Sequence, residues 1–303
     1  MAVRFLHGAA FGVVHSALST VVVDLIPPDR RGEGIGFFSL NFTVATALGP
    51  LAGMFIVQHF TYTALFAVCA AAALLSLLLA AFVKIEKPVF SEEQLVQLKK
   101  KPLGDIFERR ALPLSLVVIF MSLCYTGVTA FLSSYTVQLH QASTASLFFI
   151  VYAAAILICR PLAGKLLDKR GDNIVMYPAV VFYALSLLAL AFARGGTMFI
   201  LAAVLMALGY GNILNMGQTI AVKSVDRHKV GSATSTYFVF SDIGLGLGPV
   251  LLGLIAGAGG FAAMYLAEAA VVALGVPLYG LLHGRRARRA QAGISQTENS
   301  PEH

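Results

Sequence analysis

Apolar windows of about 20 residues recur from one end of this chain to the other, and few folds accommodate that pattern. A hydrocarbon core about 30 Å thick needs roughly 20 apolar residues per crossing helix. Nine windows qualify, at residues 3 to 23, 35 to 57, 62 to 83, 112 to 138, 144 to 163, 174 to 193, 198 to 221, 232 to 256 and 261 to 283, with bounds good to about 2 to 4 residues. Their length indicates helices rather than barrel strands. Composition agrees, because 58% hydrophobic residues with only 12% charged and a mean hydropathy of +0.80 lie outside the soluble range. The expected fold is an all-α polytopic membrane protein.

The opening stretch is not read as a signal peptide. Its charged region is meagre, His7 and His15 interrupt the apolar run, and no clean small-residue cleavage site follows. Those two histidines stand too far apart on a helix to share a metal, and no third ligand has suitable spacing, so no metal site is expected. Cys69, Cys124 and Cys159 fall in separate spans and read as packing residues. Phosphate-binding loops and nucleophile-base patterns are lacking, so the sequence supports neither ATP-driven transport nor enzymatic activity, and no cofactor is expected.

The net charge of +7 raises nucleic acid as a partner, and the placement of the charges argues against it. Of the 22 Lys and Arg residues, only Arg194 falls in the loops of one side. Arg4 and Arg160 lie within spans, and all the others fall on the opposite side. The positive-inside rule then puts the basic loops and the C-terminus in the cytosol and the start of the chain outside, in a multi-pass plasma (inner) membrane protein.

A shift of 199 residues sets Gly12 against Gly211, Thr20 against Thr219, Gly32 against Gly231, and Leu48-Gly49-Pro50 against Leu247-Gly248-Pro249. Parallel repeats of this kind are an established transporter architecture. A repeat near 200 residues holds six helices, and the first copy supplies only its last three. The expected organisation is a partial N-terminal bundle at 1–83, a cytosolic linker at 84–110 with a short helix capped by Ser91, a six-helix bundle at 111–284, and a disordered basic tail at 285–303. The tail's arginines suit contact with anionic lipid.

At this point the residues resemble the major facilitator superfamily. Between the fifth and sixth spans, RPLAGKLLDKRGD is similar to that family's cytosolic loop signature, matched by Gly164, Asp168, Lys169 and Gly171, with Arg160 at its head. The opening RFLHGAAFG resembles the fourth-helix pattern of the drug and proton antiporter (efflux) branch, with Arg4 at the basic position and Gly8 at the glycine. Gly49, Pro50 and Gly53 match that branch's antiporter motif, whereas Ala45 and Met54 replace glycines of the full pattern. The resemblance implies a monomeric secondary transporter that exchanges small-molecule substrate and protons by alternating access. It also implies that three helices preceding Arg4 are missing from this chain. Two alternatives stay open: a truncated fragment that transports nothing, and a proton-coupled uptake symporter of the same fold.

Small residues every four positions, at Ala45, Gly49 and Gly53 and again at Gly244 and Gly248, give smooth helix faces for close packing, and Pro50 and Pro249 are expected to bend those helices. Ordinary membrane packing and a rocking contact both fit. Polar residues line single faces: Thr126, Thr129, Ser133 and Thr136 with Tyr125 and Tyr135 alongside, then Arg4, His15 and Ser19, then Asn215 and Gln218. The 199-residue relation pairs Ser16 with Asn215 and Ser19 with Gln218. A shared aqueous cavity and interhelical hydrogen bonding are both consistent with them.

Ionisable residues within spans call for a partner or a function, and Arg4, Arg160, Asp242 and Glu268 are the cases here. Asp242, near the middle of the eighth span, is the first candidate for proton coupling, with a structural ion pair as its alternative reading. Arg4 and Glu268 follow. The resemblance places Glu268 in a peripheral scaffold helix and gives Asp168 a gating role, as a cap or partner of a neighbouring helix N-terminus.

Overall fold

The computed structural model describes residues 2–25, 31–82, 107–225, 229–285 and 287, and in the first two helices only some of the side chains. All regular structure among them is helical: α1 (Ala2–Leu25), α2 (Arg31–His59), α3 (Tyr62–Ala81), α4 (Leu112–Gln138), α5 (Ala142–Arg170), α6 (Asp172–Ala191), α7 (Gly196–Leu208), α8 (Tyr210–Lys223) and α9 (Val230–Tyr279). Six helices among the described residues are long and apolar enough to cross a membrane. The chain divides into two units, Met1–Asp105 and Ile106–His303. Most of the linker and nearly all of the tail, including Ser91, lie outside the described residues.

In the first unit α2 continues through Pro50, and Thr61 starts α3 by accepting a hydrogen bond from the backbone N–H of Ala64 at 3.2 Å. The chain buries no residue of α3. Its exposed leucines, Leu74, Leu75, Leu77, Leu78 and Leu79, suit lipid, where an apolar surface needs no protein cover.

The second unit is built around α4. Helix α9 folds back on itself at Gly260, whose φ of 79° and ψ of 173° break the helix into limbs 230–259 and 261–279. Few residues other than glycine adopt that φ. Both limbs pack on α4. The first runs parallel to it, so that a Cβ on Gly244 would lie 3.0 Å from Leu123 N and one on Gly248 would lie 2.7 Å from Leu123 O. The second runs antiparallel, with the Tyr265 hydroxyl donating to Gly127 O at 3.1 Å and Gly275 facing Met121. Tyrosine hydroxyls tie further helices to backbone carbonyls: Tyr183 to Met121 O at 3.1 Å, Tyr135 to Leu190 O at 3.1 Å and Tyr237 to Ile213 O at 3.0 Å. A buried phenol with its proton placed in this way joins apolar bulk to a satisfied polar end.

Two findings depart from the sequence reading. The window 198–221 falls in one stretch of membrane-crossing length, Gly196–Lys223, but its helix is interrupted at Gly209 (φ −86°, ψ −99°), which separates α7 from α8. Its lack of a side chain lets the α6 backbone approach, since a Cβ there would lie 2.5 Å from Tyr183 N. The Asn212 amide donates to Leu208 O at 3.0 Å, satisfying a carbonyl next to the break. The signature predicted as a loop is also helical almost throughout. Helix α5 runs on to Arg170, and Gly171 alone, at φ 83°, separates it from α6. Lys169 and Arg170 in the last turn complement the negative end of the helix dipole and favour that extension.

Candidate functional site

Polar side chains of the second unit collect along α4, α5, α8 and the first limb of α9. Arg160 of α5, half-buried, donates from Nη2 to Asn215 Oδ1 of α8 at 3.0 Å. The Asn215 amide donates to Gly211 O at 2.9 Å within its own helix. The charged donor makes this a stronger tie between α5 and α8 than a neutral hydrogen bond would be. Gln218 lies one turn further along α8 and is also half-buried.

A hydroxyl cluster joins α4, α8 and α9. Ser122 Oγ shares hydrogen bonds with Ser241 Oγ at 2.9 Å and with Tyr210 OH at 3.3 Å. Tyr125, buried on α4, stacks on the Tyr210 ring with centroids 4.0 Å apart. Asp242 follows Ser241 directly, lies on the exposed surface, and is within electrostatic reach of Tyr210. The expected stripe on α4 divides. Thr129 and Ser133 are exposed, whereas Thr126 and Thr136 are buried and donate to Leu123 O at 2.7 Å and Ser133 O at 2.9 Å in their own helix. Tyr135 is buried too, bonded to α6.

At the end of α5 the signature acid Asp168 pairs with Lys223 Nζ at 2.6 Å, both side chains being well exposed. Its partner is thus a lysine at the C-terminal end of α8, not a helix N-terminus. Gly171 is explained by its positive φ. A Cβ on Gly164 would meet nothing within 4 Å, and Lys169 is exposed.

In α9, Gly244 and Gly248 lie against α4 as their spacing suggests, and the helix continues through Pro249. In the first unit, a Cβ on Gly49 or Gly53 would meet nothing within 4 Å. The side chains of Arg4, His15, Ser16 and Ser19 lie outside the described residues. Glu268, placed by resemblance in a peripheral helix, is fully buried against α4 at 1% exposure. Sequence reasoning missed Gly127, Asn212, Tyr183 and Tyr210. Only Asn212, an amide directly after a Gly-Tyr-Gly run and three residues before Asn215 in an apolar window, carried a usable signal.

Comparison with known proteins extends this picture. The chain matches the model of the Major Facilitator Superfamily over residues 1–197 and 138–301. It is 25% identical over 296 residues to the multidrug resistance protein MdtG of Escherichia fergusonii, covering 95% of this chain and 72% of that protein. To the MdtG of Salmonella schwarzengrund it is 25% identical over 283 residues, covering 89% and 68%. In fold it is similar to the crystal structure of a bacterial homologue of the human lysosomal transporter Spinster in an inward-facing, unoccupied conformation. The TM-score is 0.65 with 15% identity, over 88% of this chain and 73% of the other. Helices of membrane-spanning length, the α5–α6 signature and these matches along the chain agree, and the protein belongs to the Major Facilitator Superfamily.

Proposed function

We propose that the chain is a proton-coupled secondary transporter that exports small organic molecules by alternating access. The observation that carries this reading is Asp242. It is an acidic side chain midway along an apolar limb, exposed instead of packed away, beside the Ser122–Ser241–Tyr210 cluster. A carboxyl group placed in that way is expensive to keep in a membrane and is retained where it exchanges a proton or binds a ligand. Export is supported by similarity over 95% of the chain to a protein named for multidrug resistance. Within the second unit the cavity candidates Tyr125, Thr126, Thr129, Ser133, Asn215 and Gln218 supply hydroxyl, amide and aromatic groups without a dominant charge, which suits varied organic substrates.

In this reading Arg160–Asn215 and Asp168–Lys223 tie α5 to α8 at two levels and part or re-form as the transporter cycles. Gly244 and Gly248 supply close, low-relief helix contacts between α9 and α4. The basic loops support a cytosolic C-terminus in a plasma (inner) membrane protein by the positive-inside rule; activity of alkaline phosphatase fused to the C-terminus would contradict that orientation. The decisive experiment is Asp242→Asn in inverted membrane vesicles. Proton-driven dye accumulation should be lost with expression intact, and accumulation equal to the parent would reject the coupling role.

A further inference from the structure

Glu268 differs from the other acids among the described residues of the second unit. The residue is 1% exposed, both of its carboxyl oxygens lack a hydrogen-bond partner, and no ion pair among the described residues reaches it. It lies in the second limb of α9 against α4, at the level of Gly127. A Cβ on Gly127 would lie only 2.6 Å from the Glu268 carboxyl carbon, so the space for this carboxyl exists because that position of α4 carries no side chain.

Three titratable groups face it, Cys124 from α4, Tyr183 from α6 and Tyr265 from its own limb. None is a cation. Cys124 Sγ is directed at the backbone carbonyl of Glu268 at 3.8 Å, not at the carboxyl group. The two phenols have placed their protons on Met121 O and Gly127 O. A carboxylate with neither counter-charge nor donor is among the most unfavourable groups to bury. In these surroundings the side chain is accommodated with a proton on one oxygen. A neutral acid needed only for filling space would be better replaced by an apolar side chain of similar volume.

We propose that Glu268 is a proton-binding residue of the transport cycle, held between α4 and the second limb of α9 and separate from Asp242. The close packing seen here keeps the proton. When the two elements part and water enters, the carboxyl O–H bond breaks, the proton passes to water as hydronium, and a solvated carboxylate remains. The proposal rests on the proton-coupled reading above.

The test uses the full chain in membrane vesicles with N,N′-dicyclohexylcarbodiimide, an apolar reagent to whose C=N bond a protonated carboxyl group adds. The modified position is read by peptide mass spectrometry. Glu268 should carry the adduct, labelling should fall as pH is raised, and Glu268→Gln should lose it. No adduct at Glu268 at any pH overturns the proposal. In the transport arm, Glu268→Gln copies the shape of the neutral acid. It should keep gradient-independent ethidium exchange yet lose about tenfold or more of its proton-driven accumulation, within the usual range of coupling between two ligands, and Glu268→Asp should recover part of it. Should Glu268→Gln accumulate ethidium under a proton gradient as fast as the parent, the proposal fails even with labelling present. Labelling does not depend on transport. A chain that labels at Glu268 while neither it nor any variant moves ethidium therefore refutes the transport reading and leaves the proton site supported.

Discussion

Gly244 and Gly246 lie two residues apart on the same limb of α9, and a methyl group should have opposite effects at the two positions. At Gly244 the added Cβ would meet Ile119 O and lie 3.0 Å from Leu123 N. Both are backbone atoms of α4, and ordinary contact begins near 3.4 Å, so no rotamer change relieves the overlap and one helix must retreat. Overpacking of this kind costs about 1–3 kcal/mol. At Gly246 a Cβ would meet nothing within 4 Å, and alanine there gains up to about 1 kcal/mol of helix propensity over glycine. That gain is common to both variants, so they should differ by the overpacking cost alone, roughly 1–3 kcal/mol. At about 2–4 °C per kcal/mol for a unit of this size, Gly244→Ala should melt roughly 2–12 °C below Gly246→Ala. Buried Cys124 and Cys159 provide the assay. With exposed Cys69 replaced by serine, a thiol-reactive dye reports the unit opening on heating in detergent. Melting of the two variants at the same temperature, or Gly244→Ala as the more stable, would refute the view that α4 and α9 touch through glycine.

Other outcomes follow from the same geometry. Asp168→Ala removes an exposed ion pair worth about 0–1 kcal/mol, so melting and substrate affinity in detergent should barely change while conformational exchange slows; a large loss of affinity would contradict the gating role. Gly171→Ala places a side chain at φ 83°, at a cost of about 1–2 kcal/mol, visible as a lower melting temperature, and an unchanged one would show that the α5–α6 junction relaxes freely. Asn215→Ala deprives half-buried Arg160 of an acceptor at a cost of about 1–3 kcal/mol, and a double-mutant cycle with Arg160→Ala should show coupling of at least about 0.5 kcal/mol, whereas additive effects would dissolve the tie.

Much of the helical frame was legible because hydropathy and end signals are local. The window 112–138 coincides with α4 and 62–83 lies within two residues of α3, where Thr61 marks the start chemically. The break at Gly209 was hidden because a window average runs smoothly across one residue. The signature's helical course was hidden because a charged, glycine-bounded stretch reads as a loop until its last turn is seen to complement the helix dipole. Site partners were the least legible. Asp168 and Lys223 are separated by 55 residues, and Gly127 belongs to no spacing pattern. Asp242 and Glu268 look alike in the sequence, as single acids in apolar helices. Only packing against α4 distinguishes the exposed one from the buried one.

The turn at Gly260 also bears on how the second unit reaches the bilayer. With one residue between the limbs of α9, there is no hydrated loop to wait outside while the first limb settles, so the two limbs are delivered as a hairpin. That hairpin carries both Asp242 and Glu268. The insertion cost of about 2.5–3.5 kcal/mol for an acid at a helix centre is then weighed against the apolar length of both limbs together, and neither limb has to qualify alone. A polar insertion at Gly260 would uncouple them, and the limb bearing the acid would have to enter on its own hydrophobicity.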